Sequence, residues 1–561
     1  MQELKRPMPV GIEDFKRLVT DNYYFIDKTR FIKELIDTQG VVTLITRPRR
    51  FGKTLSLSML QYFFTLENAA ENRQLFAGLD IERAGEKYMN QQGTRPVVFL
   101  TLKEVRRPSH TSMLAMLASL LQEIYEQQRC ILDSNNLEEP EAEYFKLILA
   151  GKGSEEDMAI SLKRLMAYME KHYGTQPVLL LDEYDAPILS AWENGYYQEC
   201  IDFMRGFLGA ALKTNPALGF AVLTGITRIS KESIFSGLNN LKVCSVLSNR
   251  YSDIFGFTQE EAAKLLTECG AANKVDELAK WYDGYQFGQT EIYNPWSVIQ
   301  YIDNDYEFRP YWLNTSGNSI LKDLLAKVDR RRQKELEGLL HGVGVDAPVM
   351  EEVVYADLAH NRDALFMMLM TAGYLKSVKT WKDEEYADWA LLKIPNLEVR
   401  MAYRKEILGH IVPSQGETLL RDMLHSMATG DTDGFSEHLS CILQDFVSYH
   451  DTAQPESFYH GLMLGFSVLL DGKYRVESNR ESGYGRFDLA FFPLHPGAPG
   501  VILELKAAAS EEELEVKAKE ALAQIADKEY THELSRQGTR NIWSYGIALY
   551  GKKVCMQGTQ D

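Results

Sequence analysis

Ile45-Thr46-Arg47-Pro48-Arg49-Arg50-Phe51-Gly52-Lys53-Thr54-Leu55-Ser56-Leu57 is the stretch on which the fold turns: an apolar, strand-like run from Val41 to Thr46 enters a tight basic turn and leaves as a helix. A phosphate-binding loop needs amide N–H groups around an anion and a lysine reaching the β and γ oxygens. It also needs a hydroxyl for Mg²⁺ at the first turn of a helix whose positive end faces the charge. Gly52, Lys53 and Thr54 supply the end of that arrangement. The first glycine of G-x-x-x-x-G-K-[ST] falls on Arg47, so this stretch alone leaves both nucleotide binding and a basic surface turn open. Arg47, Arg49 and Arg50 could touch a triphosphate or hold a neighbouring acidic surface. Arg50, closest to Gly52, is expected nearest the phosphates, with Phe51 and Leu55 flanking.

Two further strands narrow the choice. Residues 177–188 read PVLLLDEYDAPI and end in Asp182 and Glu183. In a phosphate-loop enzyme the aspartate would hold Mg²⁺ through water and the glutamate would polarise the attacking water. Phe220 to Ile226 forms a third apolar run and ends in Thr227 and Arg228, suitable groups for a γ-phosphate. Ligands of open α/β sheets bind at the carboxyl ends of the strands. One such carboxylate could merely cap a strand, but three strands ending in suitable groups favour a site.

The chain has 561 residues, enough for three or four domains, each with its own core. Its formal net charge of -18 excludes a global attraction to nucleic acid, so any such contact must come from a local basic patch. There is no run of 18 or more apolar residues and no apolar signal core at the N-terminus, so the chain is expected in the cytoplasm with no membrane partner. Six dispersed cysteines without a C-x-x-C pair read as buried thiols in a reducing compartment. The histidines show no zinc spacing.

In order along the chain, the aromatic segment Tyr23-Tyr24-Phe25-Ile26 precedes a helix RFIKELIDT that Asp27 or Thr29 can cap; it reads as core, with adenine cover as the alternative. Strand-like Val97 to Leu102 and helices Ser112 to Gln127, Ser161 to Lys171 and Gln198 to Lys213 alternate as in a three-layer α/β domain, with an acidic connecting stretch near 134–154. Residues 258–400 read as mainly helical, with hairpin or turn connections at 281–288, 293–302 and 311–318. The expected division is 1–257 for the nucleotide-binding domain, 258–400 for a helical or winged-helix-like lid or regulatory region, 401–449 for a helical linker and 450–561 for a last α/β domain.

That last domain reads as α-β-β-β-α-β: a helix from Pro455, strands at 474–479, 487–492 and 501–506, a helix Glu511 to Glu529 and a strand Ile542 to Leu549. Asp488 and Glu504 fall on adjacent strands, and period-2 geometry puts Glu504 and Lys506 on one face, with Leu503 and Leu505 on the other. Two facing carboxylates can hold divalent ions that polarise a phosphodiester, and a lysine beside them can orient water. The alternative is an edge strand with an internal ion pair. Gln524 and Tyr530 could flank the same cleft, Glu456 is a candidate third metal ligand, and Arg480 and Arg486 are the nearest candidates for a basic patch.

At this point the chain resembles a bacterial family. Its N-terminal part is similar to the AAA-ATPase-like domain through YFIDKT (24–29), RPRRFGKT (47–54), LLDEYD (180–185) and TGITRISKESIFSGLNN (224–240). Arg47 fits that family. The C-terminal part resembles the PD-(D/E)xK nuclease superfamily through SFYHGL, SNRESGYGRFDLAF, ILELK and ALAQIADKEY. The resemblance implies a phosphate-loop NTPase of AAA-like three-layer α/β type, then the helical or winged-helix region, then a restriction-endonuclease-like α/β domain. It implies ATP with Mg²⁺ at Lys53, Thr54, Asp182 and Glu183, with Thr227 and Arg228 sensing the γ-phosphate. It further implies a Mg²⁺- or Mn²⁺-dependent nuclease site at Asp488, Glu504 and Lys506, supported by Gln524. Nucleic acid is then the expected partner, DNA before RNA, with a homo-oligomer left open and a role in DNA processing or mobile-element defence.

Overall fold

Buried on all five positions, Val42–Thr46 (β1) has the unbroken apolar reading of a strand covered on both faces. It is one of five parallel strands, with β2 (Val97–Thr101), β3 (Val178–Asp182), β4 (Phe220–Gly225) and β5 (Leu241–Cys244), in the spatial order β2-β3-β4-β1-β5. The computed structural model describes residues 6–134, 136–227, 240–312, 335–336, 338–340, 342–350, 361–403, 417–446, 463, 473–478, 481–482, 485–495 and 497–560. The strand holding Asp182 is thus separated from the Lys53 loop's strand by β4. Thr46 pairs with Gly225, Leu181 with Leu223 and Thr101 with Asp182, so four strand ends align at one edge.

The expected helices form with small shifts: His110–Gln127, Glu155–Tyr173 and Tyr197–Leu212. Ser154 starts the second with a capping box, its hydroxyl accepting from the Asp157 N–H while the Asp157 carboxylate accepts from the Ser154 N–H. The acidic stretch read as a connection holds a helix of its own, Glu139–Leu149. Tyr144, Phe145 and Ile148 recur at helical spacing among its charges and are buried.

The packing forms two units: residues 1–317 with 344–399, and residues 318–343 with 400–561. In the first, the part beyond residue 257 contains, besides helices, two small antiparallel sheets among the described residues. One joins β6 (Phe257–Thr258), β7 (Tyr285–Phe287) and β8 (Thr290–Tyr293); the other joins β9 (Val345–Pro348), β10 (Lys376–Lys382) and β11 (Asp388–Lys393). The aromatic hairpin expected near 281–288 is the β7–β8 pair. Tyr282, Tyr293 and Tyr301 form the centre of a local aromatic core.

The second unit is organised on a mixed sheet of β12 (Tyr474–Ser478), β15 (Leu489–Pro493), β16 (Gly500–Ala507), β17 (Ile542–Tyr550) and β18 (Lys553–Gln560), in that spatial order. A two-residue hairpin, β13 (Glu481–Ser482) with β14 (Gly485–Arg486), lies outside it. β18 is an addition to the expected order. The stretch expected as a linker is a correction: helices Glu417–Thr429 and Thr432–Phe446 bury Met423, Met427, Phe435 and Leu439 in one core with Leu503, Leu505 and Tyr545. Helix Leu514–Asp527 covers the other face.

Among the described residues, no helix is long and apolar enough to cross a membrane. All six cysteines are free; Cys200 and Cys244 are buried as expected, whereas Cys130 is exposed.

Candidate functional site

The loop after β1 turns through two left-handed residues, Arg50 (φ 68°) and Gly52 (φ 82°). Glycine adopts that conformation without cost; arginine does so only where its surroundings fix it. Arg50 is fixed by stacking on Trp296, 4.3 Å from the ring centroid, and by Glu13 at 3.5 Å. Phe51 is buried against Tyr285 and Phe287.

Lys53 opens helix Lys53–Phe64, and its ammonium donates to the carbonyls of Arg47 (3.0 Å) and Pro48 (2.8 Å). It is only 6% exposed, and burial lowers its pKa. Thr54 Oγ1 donates to Asp182 Oδ2 at 2.7 Å, and Thr224 Oγ1 on the intervening strand donates to Asp182 Oδ1. Burial raises the Asp182 pKa, while the two hydroxyl bonds oppose that shift. The adjacent Lys53 and Thr54 and the sequence-distant Asp182 are therefore assembled at one sheet edge. Glu183 follows in a left-handed conformation (φ 49°) and lines the adjoining cavity.

Arg47 answers the question left by the missing glycine. It is fully buried, and its guanidinium donates to the carbonyls of Thr46 and Cys244 (2.9 Å each) and Tyr251 (3.2 Å), lying 4.7 Å from the Phe287 ring centroid. It faces neither the cavity nor an acidic surface. Burial pushes its pKa down to about 10. It ties the loop to β5 and to the β7–β8 hairpin, backbone support that a glycine could not give.

A cavity of about 300 Å³ runs beside Gly52, Lys53, Thr54 and Leu55. Tyr24, Phe25, Trp296 and Ile299 supply apolar wall. Phe25 also packs edge-on to the buried Phe15, so the aromatic segment serves core and cavity together. Thr227, expected near the γ-phosphate, stands against Asp185. Its hydroxyl and amide both donate to Asp185 Oδ2 (3.1 and 2.9 Å), and its carbonyl accepts from the Tyr184 hydroxyl. Thr224, three residues earlier, is the one that reaches Asp182. Arg228 lies outside the described residues.

In the second unit, Leu489 pairs with Leu503, so Asp488 stands at the strand end beside Glu504, and its Oδ2 accepts the Leu505 N–H at 2.8 Å. The expected alternation holds: Leu503 and Leu505 enter the helix-covered core, while Glu504 and Lys506 face the other way. The Gln524 amide joins them, its nitrogen donating to Glu504 Oε1 and its oxygen accepting from Lys506 Nζ (2.6 Å). Tyr530 Oη sits 3.4 Å from the same amide nitrogen. Gly546, paired with Glu504 across to β17, makes this approach possible. A Cβ there would lie 2.3 Å from the Ala518 carbonyl oxygen and the Leu522 nitrogen, forcing helix Leu514–Asp527 off the sheet. Glu456 and Arg480 lie outside the described residues, as does the Arg486 side chain.

Residues 9–235 match the AAA-ATPase-like family, described as "Predicted AAA-ATPase", and residues 454–558 match the PD-(D/E)XK nuclease superfamily. The chain joins an AAA-ATPase-like domain to a PD-(D/E)XK nuclease superfamily domain. A protein of Azotobacter chroococcum mcd 1, described as "Uncharacterized protein in vnfD 5'region", is 26% identical over 496 residues, covering 86% of this chain and 87% of that protein.

The donor sets fit the groups these domains use in general. In the AAA-ATPase-like domain, Thr54 and Asp182 present a hydroxyl and a carboxylate oxygen at the start of a helix, the hard donors that Mg²⁺ takes together with water. In the nuclease-superfamily domain, Asp488 and Glu504 are hard oxygen donors on neighbouring strands. Among the described residues, no group of three or more histidine, cysteine, aspartate or glutamate side chains forms a fuller cage. The sequence reading did not find Thr224, Asp185, Trp296 or Gly546. Thr224 carries a local signal, a threonine at the end of an apolar strand; Trp296 and Gly546 act through contacts remote in sequence.

Proposed function

We propose that this chain is a cytoplasmic enzyme that binds and hydrolyses Mg²⁺-ATP in its N-terminal domain and cleaves phosphodiester bonds in its C-terminal domain, with DNA preferred over RNA. The observation that carries the reading is the contact set at Asp182: the residue after the loop lysine meets the β3 carboxylate directly, as two ligands of one ion would. Lys53 would leave its own loop carbonyls for the β and γ oxygens of ATP, Thr54 and Asp182 would hold Mg²⁺, and Glu183 would orient the attacking water. Bound Mg²⁺ neutralises charge on the phosphates and lowers the cost of bond cleavage.

In the C-terminal domain, Asp488 and Glu504 would hold Mg²⁺ or Mn²⁺, Lys506 would orient water, and Gln524 would keep both side chains in place. Coupling of the two activities, with ATP controlling cleavage, is part of the proposal. A second reading, an ATP-dependent regulatory or scaffold protein that binds nucleic acid without cutting it, draws support from the Glu504–Gln524–Lys506 chain, which links the acid to the base through one amide without any ion.

Incubating the full chain with single- and double-stranded DNA and RNA, with Mn²⁺ and with or without ATP, separates the two. Metal-dependent cleavage that disappears in Glu504→Ala supports the nuclease. Retained binding with no cleavage under any of these conditions supports the scaffold.

A further inference from the structure

Between β2 and helix His110–Gln127 lies a short turn whose backbone is fixed on both sides of one arginine. Leu102 N–H donates to the Asp182 carbonyl at 2.9 Å, and Leu102 and Val105 are buried. The Arg107 carbonyl accepts from the hydroxyls of Ser190 (3.0 Å) and Tyr196 (2.6 Å). Arg106, between these anchors, lines the same cavity as Lys53, Thr54 and Glu183. Several other cations there have partners: Arg50 and Lys103 share Glu13, Lys28 pairs with Glu261, and Lys53 donates to loop carbonyls. Among the described residues, Arg106 makes no hydrogen bond or ion pair. It also stands close enough to Arg49 to help lower that residue's pKa, after the larger effect of burial. A guanidinium carried on an anchored backbone, beside a second cation and lining a cavity, is a site prepared for an anion.

We propose that Arg106 contacts the γ-phosphate of ATP bound to the same chain and stabilises the charge that spreads over its oxygens during hydrolysis. This rests on the reading of the cavity as an ATP site. Water oxygen bonds to the γ-phosphorus as the bond to the β,γ-bridging oxygen breaks. ADP leaves with that electron pair, and the proton lost by water passes to solvent. Arg106 stays protonated throughout. The part is that of an arginine finger supplied in cis.

The test uses the full-length wild type, Arg106→Ala, Arg106→Lys and Lys53→Ala, with fluorescent ATP and ADP binding and single-turnover hydrolysis. Arg106→Ala is expected to bind ADP as the wild type does, which also shows that it is folded, while hydrolysis falls by about 10³-fold, the scale of a lost arginine finger. Arg106→Lys should recover only part, because a point charge cannot make the two-pronged contact. An equimolar mixture of Arg106→Ala and Lys53→Ala should stay inactive. Restored activity would place the arginine in a neighbouring copy and overturn the assignment in cis. Near-wild-type hydrolysis by Arg106→Ala overturns the role altogether. A wild type that binds no ATP defeats the ATP reading itself, and the Arg106 proposal with it; ATP binding and hydrolysis by the wild type separate the two failures.

Discussion

The loop around Lys53 and the strand around Glu504 both hold charged side chains at a sheet, yet they are supported in opposite ways. At the loop, support comes from far along the chain. Arg47 is bound by carbonyls of Cys244 and Tyr251, Arg50 rests on Trp296, and the Trp312 indole donates to the Arg49 carbonyl at 3.3 Å. At the strand, one amide from the next helix, Gln524, joins the acid and the base. The first design fixes backbone and the second fixes side chains. Damage to the loop's supports should therefore act on folding as well as activity, whereas damage to the strand's support should act on activity alone.

The largest expected effects come from the charged groups themselves. Lys53→Ala should reduce ATP hydrolysis by about 10²–10³-fold or more, the scale of losing one electrostatic stabiliser in a closed site, and weaken ATP binding. Undiminished ATP affinity in the folded variant would sink the assignment of the cavity. Glu504→Ala should lose both Mn²⁺ binding and cleavage, while Lys506→Ala should keep the metal and lose the chemistry. Calorimetric titration of Mn²⁺ into each full-length variant reads the first half, and an oligonucleotide cleavage assay the second. A flat titration of the wild type at millimolar ion would reduce the domain to a binding module.

The comparison also shows what the sequence could tell. Glu504 and Lys506 were legible because two residues apart on a strand share a face, and the face is decided by apolar Leu503 and Leu505. Lys53, Thr54 and Asp182 were legible because the phosphate-loop chemistry demands those types at strand ends. What could not be read was the support. Nothing adjacent to Arg47 says that its charge points backward into carbonyls, because Cys244 and Tyr251 lie about two hundred residues on. Thr224 and Thr227 both end an apolar run, and only the register of β4 against β3 decides which reaches Asp182. The helices at 417–446 resemble a linker in sequence because their apolar faces carry no signal of what they cover.

A smaller effect is expected from the supports of the chemistry. Gln524→Ala should lower cleavage by about 10–100-fold, as loss of a residue that orients metal ligands does, with little change in thermal stability. Gln524→Glu can still accept from Lys506 but sets a carboxyl group in place of the amide donor to Glu504, and should also lower Mn²⁺ affinity below the wild type's. Mn²⁺ affinities in both variants equal to the wild type's would show that the amide donor to Glu504 does not matter for the metal, leaving Gln524 a partner of Lys506 alone.

The smallest effect probes the loop's far supports through pH. Glu398 is fully buried, its Oε1 accepting the Trp312 N–H and its Oε2 accepting from the Ser297 hydroxyl, both at 2.7 Å. Those bonds bear on the loop, because the Trp312 indole reaches Arg49 and Ser297 follows Trp296, on which Arg50 stacks. Burial, only partly opposed by the hydrogen bonds, raises the Glu398 pKa from 4.5 to about 8. Between those two values the folded chain holds a proton that the unfolded chain has released. The sign follows: this acid's contribution is fully favourable below its unfolded pKa and is lost as pH rises towards 8, at a slope of up to about 1.4 kcal/mol per pH unit. Glu398→Gln removes the titration while keeping an acceptor for the Trp312 N–H and offering a donor to the Ser297 oxygen. Its melting temperature should therefore gain on the wild type's as pH is raised from 5.5 to 8, with the two closest at the acid end. If the difference between the two melting temperatures does not change over that range, Glu398 does not carry the proton, and the support behind Trp312 is an ordinary buried carboxylate held charged by its hydrogen bonds.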